Sequence, residues 1–224
     1  MNFYPVTIVE NFYENPDAIR KFALAQEYKF CHEITDISYV FPGSRTEDLR
    51  FLDSALYEKI CKKLISIFHN SEHDYMRWVI STSFQSVTEE YQQGVIHTDQ
   101  STVFAAVLYL TPNAPLNAGT SLFKKNHTFN QEQYTLALEQ NDEKFKSGQK
   151  IMSTDYHSMF DEAVRVNNVY NTLILYEGDT FHAASQFFGT ALENARLAQV
   201  FFIKRIDAQK ENSFPLKRAK AIKV

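Results

Sequence analysis

Residues Val95–Leu110 read VIHTDQSTVFAAVLYL: a histidine and an aspartate two positions apart, then an apolar run from Val103 to Leu110. The run is rich in β-branched and aromatic residues and reads as a strand, with the pair at its mouth. In extended backbone, residues i and i+2 point to the same side. His97 and Asp99 therefore project together, and Thr98 turns away. One imidazole nitrogen and one carboxylate oxygen delivered to a common centre need only a second histidine to make a facial metal site. Two histidines and one carboxylate suit non-haem Fe(II), because they leave coordination positions open.

Working outward, similar segments recur from Trp78 onward. RWVISTSFQSV, GVIHTD, GTSLF, NTLILYEGD and ARLAQVFFIKRI are short and strand-like. Turns separate them at Gly94, in Thr111–Gly119 (TPNAPLNAG) and at Gly178-Asp179. The earlier chain is different. NPDAIRKFALAQEY has Pro16 near a helix start and apolar residues at Ile19, Phe22 and Ala23. LRFLDSALYEKICKKLISIFH repeats Leu49, Leu52, Leu56, Ile60, Leu64 and Ile67 near helical period. Between these helices the Tyr39–Asp48 stretch carries the turn signal Pro42-Gly43.

This pattern predicts one domain of mainly β, or α+β, class: a two-sheet barrel or jelly roll with N-terminal helices packed outside. The expected parts are a helical layer over 1–77, a β core over 78–206 and a basic tail over 207–224. The polar interval 124–171, with Gly148 as a break, is expected to be a partly helical insertion between two strands.

Bulk composition narrows the function. The chain has 224 residues, 44% hydrophobic and 22% charged, with 19 Phe and 12 Tyr, enough for one large core. A formal net charge of −4 argues against a dedicated nucleic-acid binder. The only concentrated positive segment is the tail with Lys217, Arg218, Lys220 and Lys223. Cys31 and Cys61 cannot build a disulfide framework and read as free thiols of a reducing cytoplasm. No signal peptide and no apolar run long enough for a membrane span is evident. The Asn126-His127-Thr128 sequon then reads as a chance match.

The second histidine has a candidate in YEGDTFHAAS, where His182 follows an apolar strand and the Gly178-Asp179 turn. Two neutral imidazoles and one carboxylate leave a divalent ion with residual positive charge, which favours an anionic co-ligand. In ARLAQVFFIKRI, alternation puts Arg196 on one face with Ala198, Val200 and Phe202. An arginine opening an apolar strand is costly to bury unless it meets a carboxylate, which its forked donors fit bidentately.

HTD, a later histidine, then RLA on a final strand resembles the Fe(II)/2-oxoglutarate-dependent oxygenase superfamily, in particular its prolyl-hydroxylase-like branch. The resemblance covers roughly Trp78 to Ile206, apart from the insertion. It implies a double-stranded β-helix (jelly-roll, cupin-like) core, with iron held by His97, Asp99 and His182. It further implies that Arg196 binds the distal carboxylate of 2-oxoglutarate and that Tyr109 hydrogen-bonds it. The activity implied is a dioxygenase that uses O2 to convert 2-oxoglutarate to succinate while hydroxylating an unactivated C–H bond. The chain departs from the family at Ala198, where a hydroxyl residue is common two after the arginine, and at Thr111, where Tyr-Leu is usually followed by Asn.

The substrate implied by the branch is a prolyl or other peptidyl residue. A free amino acid or small metabolite is the alternative, as is a cupin-like metal enzyme that does not use 2-oxoglutarate, or a non-catalytic binding domain. No nucleic-acid or membrane partner is expected, and the sequence is silent on oligomeric state. His69 and His73 stand four apart but lack an H-E-x-x-H pattern, and His32, His127 and His157 have no partner spacing. Arg45, in the Pro42–Arg45 turn, could face a substrate, but a solvated loop is the expectation.

Overall fold

A computed structural model describes residues 6–35, 39–67, 76–99 and 101–208. His69, His73 and the lysine- and arginine-bearing tail lie outside the described residues. The strands of the large sheet are β1 (Val6–Val9), β2 (Lys29–Phe30), β3 (Ser44–Arg45), β4 (Met76–Val87), β5 (Phe104–Tyr109), β8 (Leu173–Glu177) and β10 (Arg196–Ala208). They pair antiparallel in the order β1-β8-β5-β10-β4-β3-β2. A small antiparallel sheet contains β6 (Thr120–Lys125), β7 (Phe160–Val166) and β9 (Phe181–Ala184), ordered β7-β6-β9. The two sheets face each other in the double-stranded β-helix, or jelly-roll, arrangement.

The period of two in β10 builds both layers of the core. Leu197, Phe201 and Ile203 point to one side and join Phe84, Leu108 and Leu175. Against this face pack Ala23 of α1 (Pro16–Leu24), Leu49 of α2 (Leu49–Leu52), and Ile60 and Leu64 of α3 (Ser54–Ser66). Arg196, Ala198, Val200 and Phe202 take the opposite face, toward the small sheet. There Ala105, Tyr109, Ile174 and Tyr176 of the large sheet meet Leu122 and Val166 of the small one. Apolar burial on both faces stabilises the large sheet, at about 25 cal/mol per Å².

Local chemistry explains where the fold departs from the sequence expectations. The Leu49–His69 periodicity is cut at Asp53, which is extended and accepts a hydrogen bond from Leu56 N at 2.9 Å. An aspartate satisfies a free helix-start N–H, so two helices form where the apolar pattern reads as one. The 124–171 interval is not wholly an insertion. After α4 (Gln131–Lys146), capped by Asn130, it returns as β7 and completes the small sheet. The N-terminal segment likewise supplies β1, β2 and β3 to the large sheet besides its helices. No described helix is long and apolar enough to cross a membrane.

Candidate metal centre

His97 and His182 are brought side by side by backbone pairing. His97 N donates to His182 O at 3.1 Å, and His182 N donates to His97 O at 2.9 Å. On β9, His182 stands opposite Leu122, so it shares the inward face of the small sheet. Asp99 is placed by a different contact: its N–H donates to Gly178 O at 2.7 Å, and its own carbonyl accepts from Thr102 N at 2.8 Å. The close approach needs a glycine. A Cβ on Gly178 would lie 2.1 Å from Thr102 O and 3.0 Å from Asp99 O.

The three side chains converge. His97 Nε2 lies 3.7 Å from Asp99 Oδ1, and His182 Nε2 lies 3.5 Å from Asp99 Oδ2. One ligand atom from each falls within 4.8 Å of the others, the only such His/Cys/Asp/Glu group among the described residues. Both histidines place Nδ1 2.8 Å from a backbone carbonyl two residues earlier, Val95 O and Thr180 O. That geometry requires the proton on Nδ1 and leaves the Nε2 lone pairs free, the outer-shell arrangement metal-binding histidines use. Burial, with the nearby His97, pushes the His182 pKa down to about 4, so it stays neutral at physiological pH. Bonds of about 2.1 Å put adjacent ligand atoms of an octahedral ion about 3 Å apart, so a small contraction accommodates a divalent cation.

Arg196 opens β10 and is 5% exposed. Its Nε donates to Ala118 O at 3.1 Å and Nη2 to Gly119 O at 3.4 Å. No carboxylate of the described residues pairs with it. Burial lowers its pKa, opposed by Tyr109 and Tyr176. The guanidinium carbon sits 5.5 Å from the centre of the Tyr109 ring, whose hydroxyl donates to Thr120 Oγ1 at 2.9 Å and ties the two sheets together.

Sequence reasoning missed Tyr176. It is 2% exposed, its ring lies 4.6 Å from that of His182, and it faces Asp99, Tyr109 and Arg196. It thus stands between the triad and the arginine. The signal was present in LILYE, where alternation puts Tyr176 on the same face as Ile174. Arg45 corrects an expectation. It is not in a solvated loop but half-buried on β3, because Ser44 and Arg45 pair with Ser86 and Gln85 of β4.

Comparison with solved structures agrees with this architecture. HygX from Streptomyces hygroscopicus, solved with nickel, 2-oxoglutarate and hygromycin B bound, superposes with a TM-score of 0.53 at 11% identity, covering 88% of this chain and 82% of that one. Its iron-bound form gives 0.51 at 10% identity, covering 88% and 81%. A Trichoplax adhaerens prolyl hydroxylase in complex with a hypoxia-inducible-factor peptide fragment gives 0.46 at 10% identity, covering 89% and 83%. The chain shares the fold of HygX. By sequence it belongs to a family of unknown function, DUF6445, which matches residues 2–194. No curated protein matches it in sequence.

Proposed function

We propose that the protein is a 2-oxoglutarate-dependent non-haem iron dioxygenase that hydroxylates an unactivated C–H bond. The observation that carries this is the convergence of two Nε2-presenting histidines with Asp99 between the sheets, with Arg196 buried on the same face and met by no carboxylate of the described residues. His97, Asp99 and His182 hold Fe(II). Arg196 receives the distal carboxylate of 2-oxoglutarate, and Tyr109 joins it by turning its hydroxyl proton away from Thr120 Oγ1. The iron supplies oxidation of the co-substrate and substrate by dioxygen. The protein's own part is geometric and electrostatic. Backbone carbonyls fix both imidazole tautomers, Gly178 seats Asp99, and the apolar wall of Val107, Ile174 and Val200 keeps water from the reacting centre.

The alternative of a cupin-like enzyme without 2-oxoglutarate leaves the buried Arg196 with no anionic partner among the described residues. Asp99 as a third protein ligand would favour hydroxylation over halogenation, since a bound iron would have one position fewer for a halide. Substrates of the same chemistry range from a prolyl or other peptidyl residue to a free amino acid or small metabolite.

The test is anaerobic loading with Fe(II) and 2-oxoglutarate, followed by oxygen and a succinate assay. Succinate forms with the wild type and falls to background with His97→Ala and Asp99→Ala. Equal succinate from both variants and the wild type rejects this site.

A further inference from the structure

We infer that Arg45 anchors the molecule to be oxidised, and that this molecule carries a single free carboxylate. The inference deepens the oxygenase assignment above and rests on it. In register, Arg45 stands opposite Gln85, Gln85 opposite Ala198, and Ala198 opposite Tyr109. Directly paired residues share a face, so Arg45 lies on the site side of the large sheet. Its guanidinium carbon is 4.4 Å from the centre of the Phe41 ring and 5.4 Å from that of Phe202. Phe202 stands opposite Ala105, and Ala105 opposite Tyr176, the neighbour of His182. The guanidinium therefore sits beside the Phe202 end of a row whose other end, Tyr176, two strand spacings or about 10 Å from Phe202, touches His182 of the triad. That gap suits a short carbon chain between a bound carboxylate and a carbon presented to the metal.

The guanidinium is held from behind and left unanswered in front. Nη2 donates to Gln85 Oε1 at 3.2 Å, and Gln85 is fixed by its own Nε2 donating to Pro42 O at 2.8 Å. Nε is buried without a hydrogen-bond partner, and no carboxylate of the described residues forms an ion pair with Arg45. Compare Arg165, which pairs with Glu162 through Nε and Nη2. A charged group with so few partners in an aromatic setting calls for a ligand.

The sign and shape of that ligand follow. Asp99 is the carboxylate whose charge acts on Arg45, and the metal takes up that charge when bound. A divalent ion, dianionic 2-oxoglutarate, Asp99 and Arg196 together sum to neutrality. Among the described residues Arg45 then remains as one uncompensated positive charge, which a monoanion balances and a phosphate dianion overshoots. Phe41 and Phe202 occupy the guanidinium surroundings and favour a planar anion meeting the edge of the fork, which is carboxylate geometry.

The test uses the Ni(II)-loaded full chain. Titration with 2-oxoglutarate comes first, by calorimetry. No binding at this stage overturns the oxygenase assignment itself. With 2-oxoglutarate saturating, matched pairs are then titrated: straight-chain acids from propionate to octanoate and the protein amino acids, each against its primary amide, with inorganic phosphate as a separate arm. At least one carboxylate is expected to bind about tenfold or more tightly than its amide. Arg45→Gln removes that preference, and Arg45→Lys restores part of it. The acid–amide comparison on the wild type needs no variant and survives any folding defect. Acids and amides binding alike, no acid binding, phosphate binding in their place, or an unchanged preference in a folded Arg45→Gln each overturns the role of Arg45. Protection of Arg45 from phenylglyoxal by the acid and not by the amide, read by mass spectrometry, supports it independently.

Discussion

His97 and His182 exchange two backbone hydrogen bonds, 3.1 and 2.9 Å long, so the two imidazoles are placed by main chain and not by side-chain packing alone. Just upstream, Gly94 N donates to Ala184 O at 3.0 Å, and a Cβ on Gly94 would fall 2.7 Å from both the N and the O of Ala184. Gly94→Ala must push these two segments apart at the point that aligns the histidines. The expected result is a loss of Ni(II) or Fe(II) affinity of about tenfold or more, with about 1–3 kcal/mol of stability. Gly178→Ala does the same through Asp99. Metal titration by calorimetry and urea denaturation check both, and wild-type metal affinity in either variant would break the link between backbone register and triad.

Arg196 touches neither the histidines nor Asp99 by hydrogen bond or ion pair; its Nε and Nη2 donate to the Ala118 and Gly119 carbonyls. Removing it therefore separates the two binding events. Arg196→Gln is expected to weaken 2-oxoglutarate by about 10- to 100-fold, the cost of losing a charge-assisted bidentate partner, while metal affinity changes by less than about twofold. Titrating each ligand in turn into the same preparation measures the separation. Parallel loss of both would mean that Arg196 acts by holding the sheets together.

The residues legible in the sequence were those whose spacing alone fixes a direction. His97 and Asp99 two apart on extended chain, His182 after a strand and turn, and Arg196 at the head of an alternating strand all declare a face without knowledge of their neighbours. Arg45 and Tyr176 do not. Arg45 is turned inward by pairing with Gln85, forty positions away, and a two-residue strand leaves no periodicity to read. The membership of β7 in the small sheet depends on pairing with β6, which local propensity in 124–171 cannot encode. The helix break at Asp53 was readable as a cap, yet the longer apolar period masked it.

His157 gives the apo protein an acid limit. Its Nε2 accepts from Ile96 N at 3.4 Å, and burial lowers its pKa from 6.5 to about 4. A histidine depressed on folding stabilises the fold above its unfolded pKa and loses that contribution as pH falls. Stability should therefore decline between about pH 6.5 and pH 4, by an amount on the order of 1–3 kcal/mol for this residue. His157→Gln keeps a side-chain acceptor but does not titrate, so its urea midpoint should fall less steeply over that window. Identical pH slopes for variant and wild type would remove His157 from the account.

A buried polar chain on the helix side of the large sheet yields the last expectation. The Tyr13 hydroxyl donates to Gln199 Oε1 at 2.5 Å, and Gln199 Nε2 donates to Thr82 Oγ1 at 3.1 Å. Gln199 is fully buried, so each group depends on its partner. Tyr13→Phe strands the Gln199 carbonyl, and Gln199→Leu strands the Tyr13 hydroxyl. Each is expected to cost about 1–3 kcal/mol. The double variant leaves no unpaired group between these two positions, so its cost should fall below the sum of the single costs by about 0.5–2 kcal/mol. Urea denaturation of the four proteins measures that coupling directly. Strict additivity would mean that Tyr13 contributes by packing against Phe12, whose ring centre lies 5.0 Å away, and not through its hydroxyl.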